Sequence, residues 1–98
     1  MALADKLEQL PNRPGVYLFK GADGAILYVG KARHLKNRVS SYFHGRAHGE
    51  KTQVLVAQVA RIEVTVTASE IEALLLEFNL IKRHRPRFNV VLRDDKQY

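Results

Sequence analysis

Glu77 is a carboxylate in an unexpected place. On a helix that turns about 100° per residue, Glu72, Asn79, Lys82 and Arg83 gather on one polar side, whereas Glu77 falls among Ala73, Leu74, Leu80 and Ile81. A carboxylate there is costly to bury unless a cation or hydrogen-bond donors meet it. Glu77 is therefore either a functional acid or a rim residue that reaches water. Glu70 lies at a similar angle but in the first helical turn, where acids are favourable anyway. Arg38 and Tyr42 are four residues apart and share one face of a basic helix, with Lys31 near the same line. A guanidinium offers a fork of donors that suits phosphate oxygens. Arg33 and Lys36 border that face, as further phosphate contacts or as a solvated flank.

The remaining reactive types carry weaker signals. Tyr17 and Tyr28 sit in β-like runs, where tyrosine usually serves as an amphipathic core residue. The run Lys82-Arg83-His84-Arg85-Pro86-Arg87 can grip a phosphate backbone or complement a helix C-terminus. His44 and His48 flank a glycine and lack an acid or cysteine partner at metal-site spacing, so they are expected to bind nothing. Asp94 and Asp95, near the end of the chain, read as a solvated pair.

Composition narrows the classes. The chain has 98 residues, which suits one domain over 1–98 and leaves no room for a second. With 46% hydrophobic residues it should fold. There is no cysteine, which removes disulfides, a thiolate nucleophile and a Cys-based zinc site and suits a reducing cytoplasm. The opening stretch is charged from Asp5 onward and is neither a signal peptide nor a membrane span. Sixteen Lys and Arg against ten Asp and Glu give a formal charge of +6. A basic surface favours polyanions through counterion release, although ordinary surface charge is the plainer reading.

These residues need elements to place them. Residues 3–10 suit a short helix ended by Pro11 and Pro14. Gly15 to Lys20 and Ala25 to Gly30 are apolar, aromatic and β-branched runs around Gly21-Ala22-Asp23-Gly24, which predicts a β-hairpin. Lys31 to Phe43 reads as a helix with Leu35, Val39 and Phe43 as its apolar stripe. Residues 44–50 read as a loop and 51–60 as a helix. Arg61 to Thr67 alternates as a strand, with Ile62, Val64 and Val66 on one side. Ser69 and Glu72 form a capping box that starts the last long helix, and Pro86 ends it near Arg85. The expected fold is α+β: a small central three-stranded antiparallel sheet flanked by helices.

Together these pieces resemble a known family. Gly15-Val16-Tyr17 and, eleven residues on, Tyr28-Val29-Gly30 resemble the signature of the GIY-YIG nucleases, with valine for isoleucine in both triplets. Gly30-Lys31-Ala32, Leu35, Asn37-Arg38 and Ser41-Tyr42-Phe43 look like that family's catalytic helix. Glu72-Ala73, Leu76-Glu77 and Asn79 to Lys82 look like its metal helix. Pro86, Phe88-Asn89 and Asp94-Asp95-Lys96 complete a pattern similar to the UvrC branch, which makes incisions in bacterial nucleotide excision repair. The likeness runs from Pro14 to Tyr98, and residues 44–61 add little to it.

The resemblance implies roles. Glu77 would be the sole protein ligand of one divalent cation, Mg²⁺ or Mn²⁺. Arg38 would bind the scissile phosphate, and Tyr28, with Lys31 beside it, would be the general base. Tyr17 and Tyr42 would line the site, and Asn89 would shape the same pocket. Lys31, Arg33, Lys36, Lys82, Arg83, Arg85 and Arg87 would hold DNA. The substrate would be damaged double-stranded DNA, cut on the 3′ side of the lesion, and the partner would be UvrB, docking mostly outside this domain. The chain reads as an amino-terminal piece of a longer cytoplasmic protein, monomeric in isolation.

The chemistry is consistent with one metal. One out-of-place acid suits Mg²⁺, which keeps most of its waters, and a metal supplies charge stabilisation at phosphorus and help for the leaving oxygen. The base is the open question. A free tyrosine has a pKa of about 10, so about one in a thousand is ionised at pH 7, and nearby positive charge lowers that value. Tyr28 is preferred over Tyr17 or a metal-bound hydroxide because Gly30 and Lys31 follow it at a strand end. Rival readings are a stand-alone or fused nuclease of the same family, a non-catalytic DNA-binding module and a generic basic interaction domain. Loss of Glu77, Arg38 or Tyr28 would mark the second, and all three are present. The third leaves Glu77 unexplained.

Overall fold

The structure, a computed structural model, describes residues 3–44 and 49–91. Its elements run α1 (Leu3–Gln9), β1 (Gly15–Lys20), β2 (Ile26–Ala32), α2 (Leu35–His44), α3 (Glu50–Gln58), β3 (Arg61–Val66), α4 (Glu70–His84) and α5 (Arg87–Val91). The strands form an antiparallel sheet in the order β2-β1-β3. This is the expected α+β arrangement.

β1 takes the centre because Val16, Tyr17, Leu18 and Phe19 are all buried, so both of its faces need cover. The hairpin turn forms where glycine and aspartate allow it. Gly24 has a positive φ of 84°, a conformation that suits glycine. The Asp23 carboxylate accepts from the Ala25 N–H, and the Gly24 N–H donates to the Gly21 carbonyl.

Alternation along the strands sorts the core into two layers. Tyr17, Phe19 and Tyr28 join Leu35, Val39, Leu55, Ile62 and Phe88 in one cluster. Val16, Leu18 and Val29 face the other way and pack with Ala73 of α4, edged by Leu76, Leu80 and Ile81. α4 therefore covers β1 and β2 on one side, and α1, α2 and α3 close the other.

Two expectations shift. The helix predicted from Lys31 starts only at Leu35, because Lys31 and Ala32 stay in β2, paired with Val16 and Gly15. The loop from Pro11 to Arg13 then holds the leading amides of α2: Leu35 N donates to Arg13 O, Lys36 N to Pro11 O and Asn37 N to the Asn12 side chain. At the other end of the chain, Phe88 lies inside a short helix, α5, for which the sequence carried no helical signal.

Candidate active site

The hairpin register explains why glycine and tyrosine alternate in the two triplets. Tyr17 lies opposite Gly30, and Phe19 opposite Tyr28. A Cβ on Gly30 would land on the Tyr17 ring and hydroxyl, so only glycine lets that ring lie across β2. Gly15 is held by close approach as well, since a Cβ there would run into the Thr65 carbonyl and Leu35.

The outcome is an aromatic nest. Tyr17 and Tyr28 are buried, with ring centroids 6.2 Å apart. Tyr42, half-buried on α2, lies 5.8 Å from the first and 6.3 Å from the second. The Tyr17 and Tyr42 hydroxyls share a hydrogen bond of 2.9 Å. Phe19 stacks edge-on to Tyr42 at 5.1 Å and backs the group.

Arg38, one turn before Tyr42, supplies the charge. Its pKa is raised, chiefly by charge interaction with Tyr17, with Tyr42 and Tyr28 adding smaller contributions. Tyr17 is itself pushed well above 10.0. Burial is the main cause, Tyr42 and Tyr28 add to it, and Arg38 opposes it. A phenol held neutral in this way can donate or accept a hydrogen bond but is a poor base at neutral pH.

Lys31 reaches the same area from the end of β2 rather than from the helix. With Ala32, Arg33, His34, Asn37, Arg38 and Ser41 it lines an open groove of about 430 Å³. No carboxylate is among these residues. Arg33 Nε lies 2.6 Å from Glu70 Oε1 at the start of α4. Burial is negligible for both partners, and the pair raises the arginine pKa and lowers the glutamate pKa.

α4 starts as the sequence predicted. Ser69 is the N-cap, and its hydroxyl accepts from Glu72 N at 3.2 Å. Arg85 closes the helix in the left-handed conformation, φ 44°. Glu77 is 2% exposed on the face that carries Ala73, so the wheel argument holds and the rim alternative falls. Among the described residues no three His, Cys, Asp or Glu side chains cluster to hold a metal. A lone carboxylate fits a hard cation that keeps most of its own waters, as Mg²⁺ does, and fits zinc poorly.

Asn89 has a specific task. Its side-chain amide accepts from Val29 N and donates to Val29 O, both at 2.8 Å. β2 is an edge strand, and Asn89 satisfies its open backbone between Tyr28 and Gly30 much as a neighbouring strand would.

The structure thus brings together Tyr17, Tyr28, Tyr42 and Arg38, places Lys31 beside Arg38, and ties Asn89 to the strand that carries Tyr28. Lys36 is exposed but does not line the groove. Lys82, Arg83, Arg85 and Arg87 are exposed around the far end of α4, about 20 Å along the helix from Glu70. Arg87 stacks over Phe88 at 5.7 Å. His44 is exposed at the end of α2, while His48, Asp94 and Asp95 lie outside the described residues. Sequence reasoning did not name His34, and it quoted Asn37 and Ser41 only as part of the resemblance, with no task of their own. The spacing of Ser41, three residues after Arg38, was the available signal, since residues three and four apart share a helix face.

Comparison with known proteins gives a consistent result. The model of the UvrC-like GIY-YIG domain matches residues 13–90. UvrABC system protein C of Desulforudis audaxviator is 61% identical over 98 residues, which cover all of this chain and 16% of that protein. The protein of the same name from Desulfitobacterium hafniense is 58% identical over 96 residues, covering 98% of this chain and 16% of its own length. The chain thus spans about a sixth of the curated relatives it matches. Among solved structures, the GIY-YIG N-terminal endonuclease domain of UvrC from Thermotoga maritima, bound to its catalytic magnesium, superposes with a TM-score of 0.80. It is 39% identical, over 89% of this chain and 94% of that one.

Proposed function

The chain belongs to the family of UvrC-like GIY-YIG domains, and from that premise we propose that it is a metal-dependent DNA endonuclease domain, spanning residues 1–98, of a longer repair protein. The observation that carries the proposal is the convergence of three tyrosines and Arg38 beside a carboxylate-free basic groove. The buried Glu77 and the magnesium-bound relative support it.

Each residue has a distinct task in this reading. Arg38 places its fork of donors on the scissile phosphate, and its contribution grows as charge builds on the phosphate oxygens. Tyr17, kept protonated by burial, hydrogen-bonds Tyr42 and fixes the floor on which phosphate and water are positioned. Tyr28, close to Gly30 and Lys31 near the end of β2, is the preferred group to take the proton of the attacking water, with a metal-bound hydroxide as the alternative. Asn89 is a positioning residue, because it holds the β2 backbone that presents Tyr28. Glu77, the buried acid of α4, would hold one Mg²⁺ or Mn²⁺. When bound, that ion would neutralise charge at phosphorus and assist departure of the leaving oxygen.

The finer reading is incision on the 3′ side of a lesion in damaged duplex DNA, in cooperation with UvrB, in the cytoplasm and as a monomeric domain. The +6 charge supports the DNA partner. Among the described residues no helix is long and apolar enough to cross a membrane.

The test is nicking of a lesion-bearing duplex by the full-length protein with its partner and Mg²⁺, beside a metal titration. Glu77→Ala should abolish cleavage and metal binding together while leaving DNA binding intact or slightly tighter. Arg38→Ala should reduce cleavage by a factor of roughly a hundred to a thousand and keep the metal. Near-normal 3′ incision by a folded Glu77→Ala protein would falsify the reading.

A further inference from the structure

The groove beside Arg38 is larger than one phosphate needs, and part of its lining has no task in the cleavage step. Asn37 and Ser41 lie with Arg38 on α2, Arg33 and His34 form the link before it, and Lys31 joins them from the end of β2. The helical part of that lining covers about 6 Å, and Arg33 and His34 extend it, against a phosphate charge every ~3.4 Å along the axis of one DNA strand. The leading amides of α2 are already engaged by Pro11, Asn12 and Arg13. An anion in the groove must therefore be held by side chains.

One of those side chains is occupied. Arg33 is paired with Glu70, and both are well exposed, at 70% and 58%. Lys31 and His34 also act electrostatically on Glu70. The acid at the start of α4 thus draws on three of the groove's basic or donor groups, and it binds the longest of them outright.

We propose that this groove is a second phosphate subsite, which holds the phosphate next to the scissile one on the same strand, and that Glu70 is an electrostatic latch that retains Arg33 until that phosphate replaces it. The proposal rests on the endonuclease reading: Arg38 takes the reacting phosphate, and Lys31, Arg33, His34 and Asn37 take its neighbour. The exchange is inexpensive because an exposed ion pair contributes little by itself. Its effect is to suppress binding of isolated anions while leaving a polyanion able to displace the carboxylate.

The experiment measures affinity of the full-length protein for a lesion-bearing duplex across a salt series, for Glu70→Gln, Arg33→Gln and the double variant, with thermal melting of each. Arg33→Gln should weaken binding and reduce the slope of log affinity against log salt by about 0.9, one phosphate contact. Glu70→Gln should tighten binding by roughly two- to five-fold at low salt. In the Arg33→Gln background the same change should tighten it by less than half as much. Unchanged affinity and slope in Arg33→Gln would overturn the subsite. Weaker or unchanged binding in Glu70→Gln, or equal tightening in both backgrounds, would overturn the latch. Either failure with cleavage by the parent protein intact leaves the endonuclease reading standing. Failure of the parent protein to bind the duplex at all would remove both.

Discussion

The two faces of the sheet treat buried polar groups in opposite ways. On the α2 face, Tyr17 and Tyr42 bond to each other, Phe19 and Tyr28 pack around them, and Arg38 faces them from the next turn. On the α4 face, Val16, Leu18, Val29 and Ala73 form an aliphatic layer, and α4 also buries the side chain of Glu77. The first face is preorganised by its own hydrogen bonds, and its geometry comes from the hairpin register. The second is built by aliphatic packing between the sheet and α4, the helix that also buries Glu77. The difference separates a hydrogen-bonded aromatic side of the sheet from an aliphatic one.

The largest expected effect tests that contrast at Glu77. If the α4 face keeps the carboxylate for its function rather than for stability, Glu77→Leu, which fills a similar volume, should leave the domain folded. Cleavage should vanish while the melting temperature holds. A fall of many degrees in Tm would show instead that Glu77 anchors the structure, and the two faces would then be alike.

Much of this contrast was legible in the sequence. Alternating apolar runs around Asp23-Gly24 gave the hairpin, Ser69 and Glu72 gave the start of α4, and the helical wheel picked out Glu77. The misses share a physical cause, since each depends on a partner distant in sequence. Lys31 and Ala32 remain in β2 because pairing with β1 outweighs the helical pattern that follows them. α5 is held by burial of Phe88 and by the clamp of Asn89 on Val29, not by a signal of its own. The groove draws on the end of β2 as well as on α2, so no single periodicity reveals it. The wheel was silent on a further feature. Ile71, Leu75 and Phe78 are 73%, 58% and 61% exposed and form the outward side of α4. This helix is apolar on both faces, and apolarity alone did not say which one meets the sheet.

A smaller effect should come from the seam between the two faces. Asn89 bonds both polar groups of Val29, the strand residue between Tyr28 and Gly30. Asn89→Ala leaves a partly buried N–H and C=O to find other partners, at a cost of about 1–3 kcal/mol. For a domain of this size each kcal/mol corresponds to a Tm loss of roughly 4–8 °C. Asn89→Asp keeps the acceptor and loses the donor, so it should fall between the two. Cleavage should decline in the same order, with metal affinity unchanged. Full activity in a destabilised Asn89→Ala protein would mean that the clamp serves the fold and not the placement of Tyr28.

The smallest effect belongs to the preorganised face and is read from its pH dependence. Tyr17 has a pKa raised well above 10.0, first by burial and then by Tyr42 and Tyr28. A folded-state value above the unfolded one fixes the sign. The stabilising contribution is fully present below about pH 10 and is lost as pH rises through the folded value, because the unfolded chain gives up its proton first and is drawn out by mass action. Tyr17→Phe removes that proton. Near neutral pH the variant should lose only about 0.5–1.5 kcal/mol, the worth of its hydrogen bond to Tyr42. Above about pH 10 its melting temperature should fall less steeply than that of the parent, so the two curves converge and the variant gains relative stability in alkali. Parallel curves across that range would mean that Tyr17 is as free to ionise in the folded protein as in the unfolded chain. Tyr17 would then stand beside Tyr28 as a candidate base.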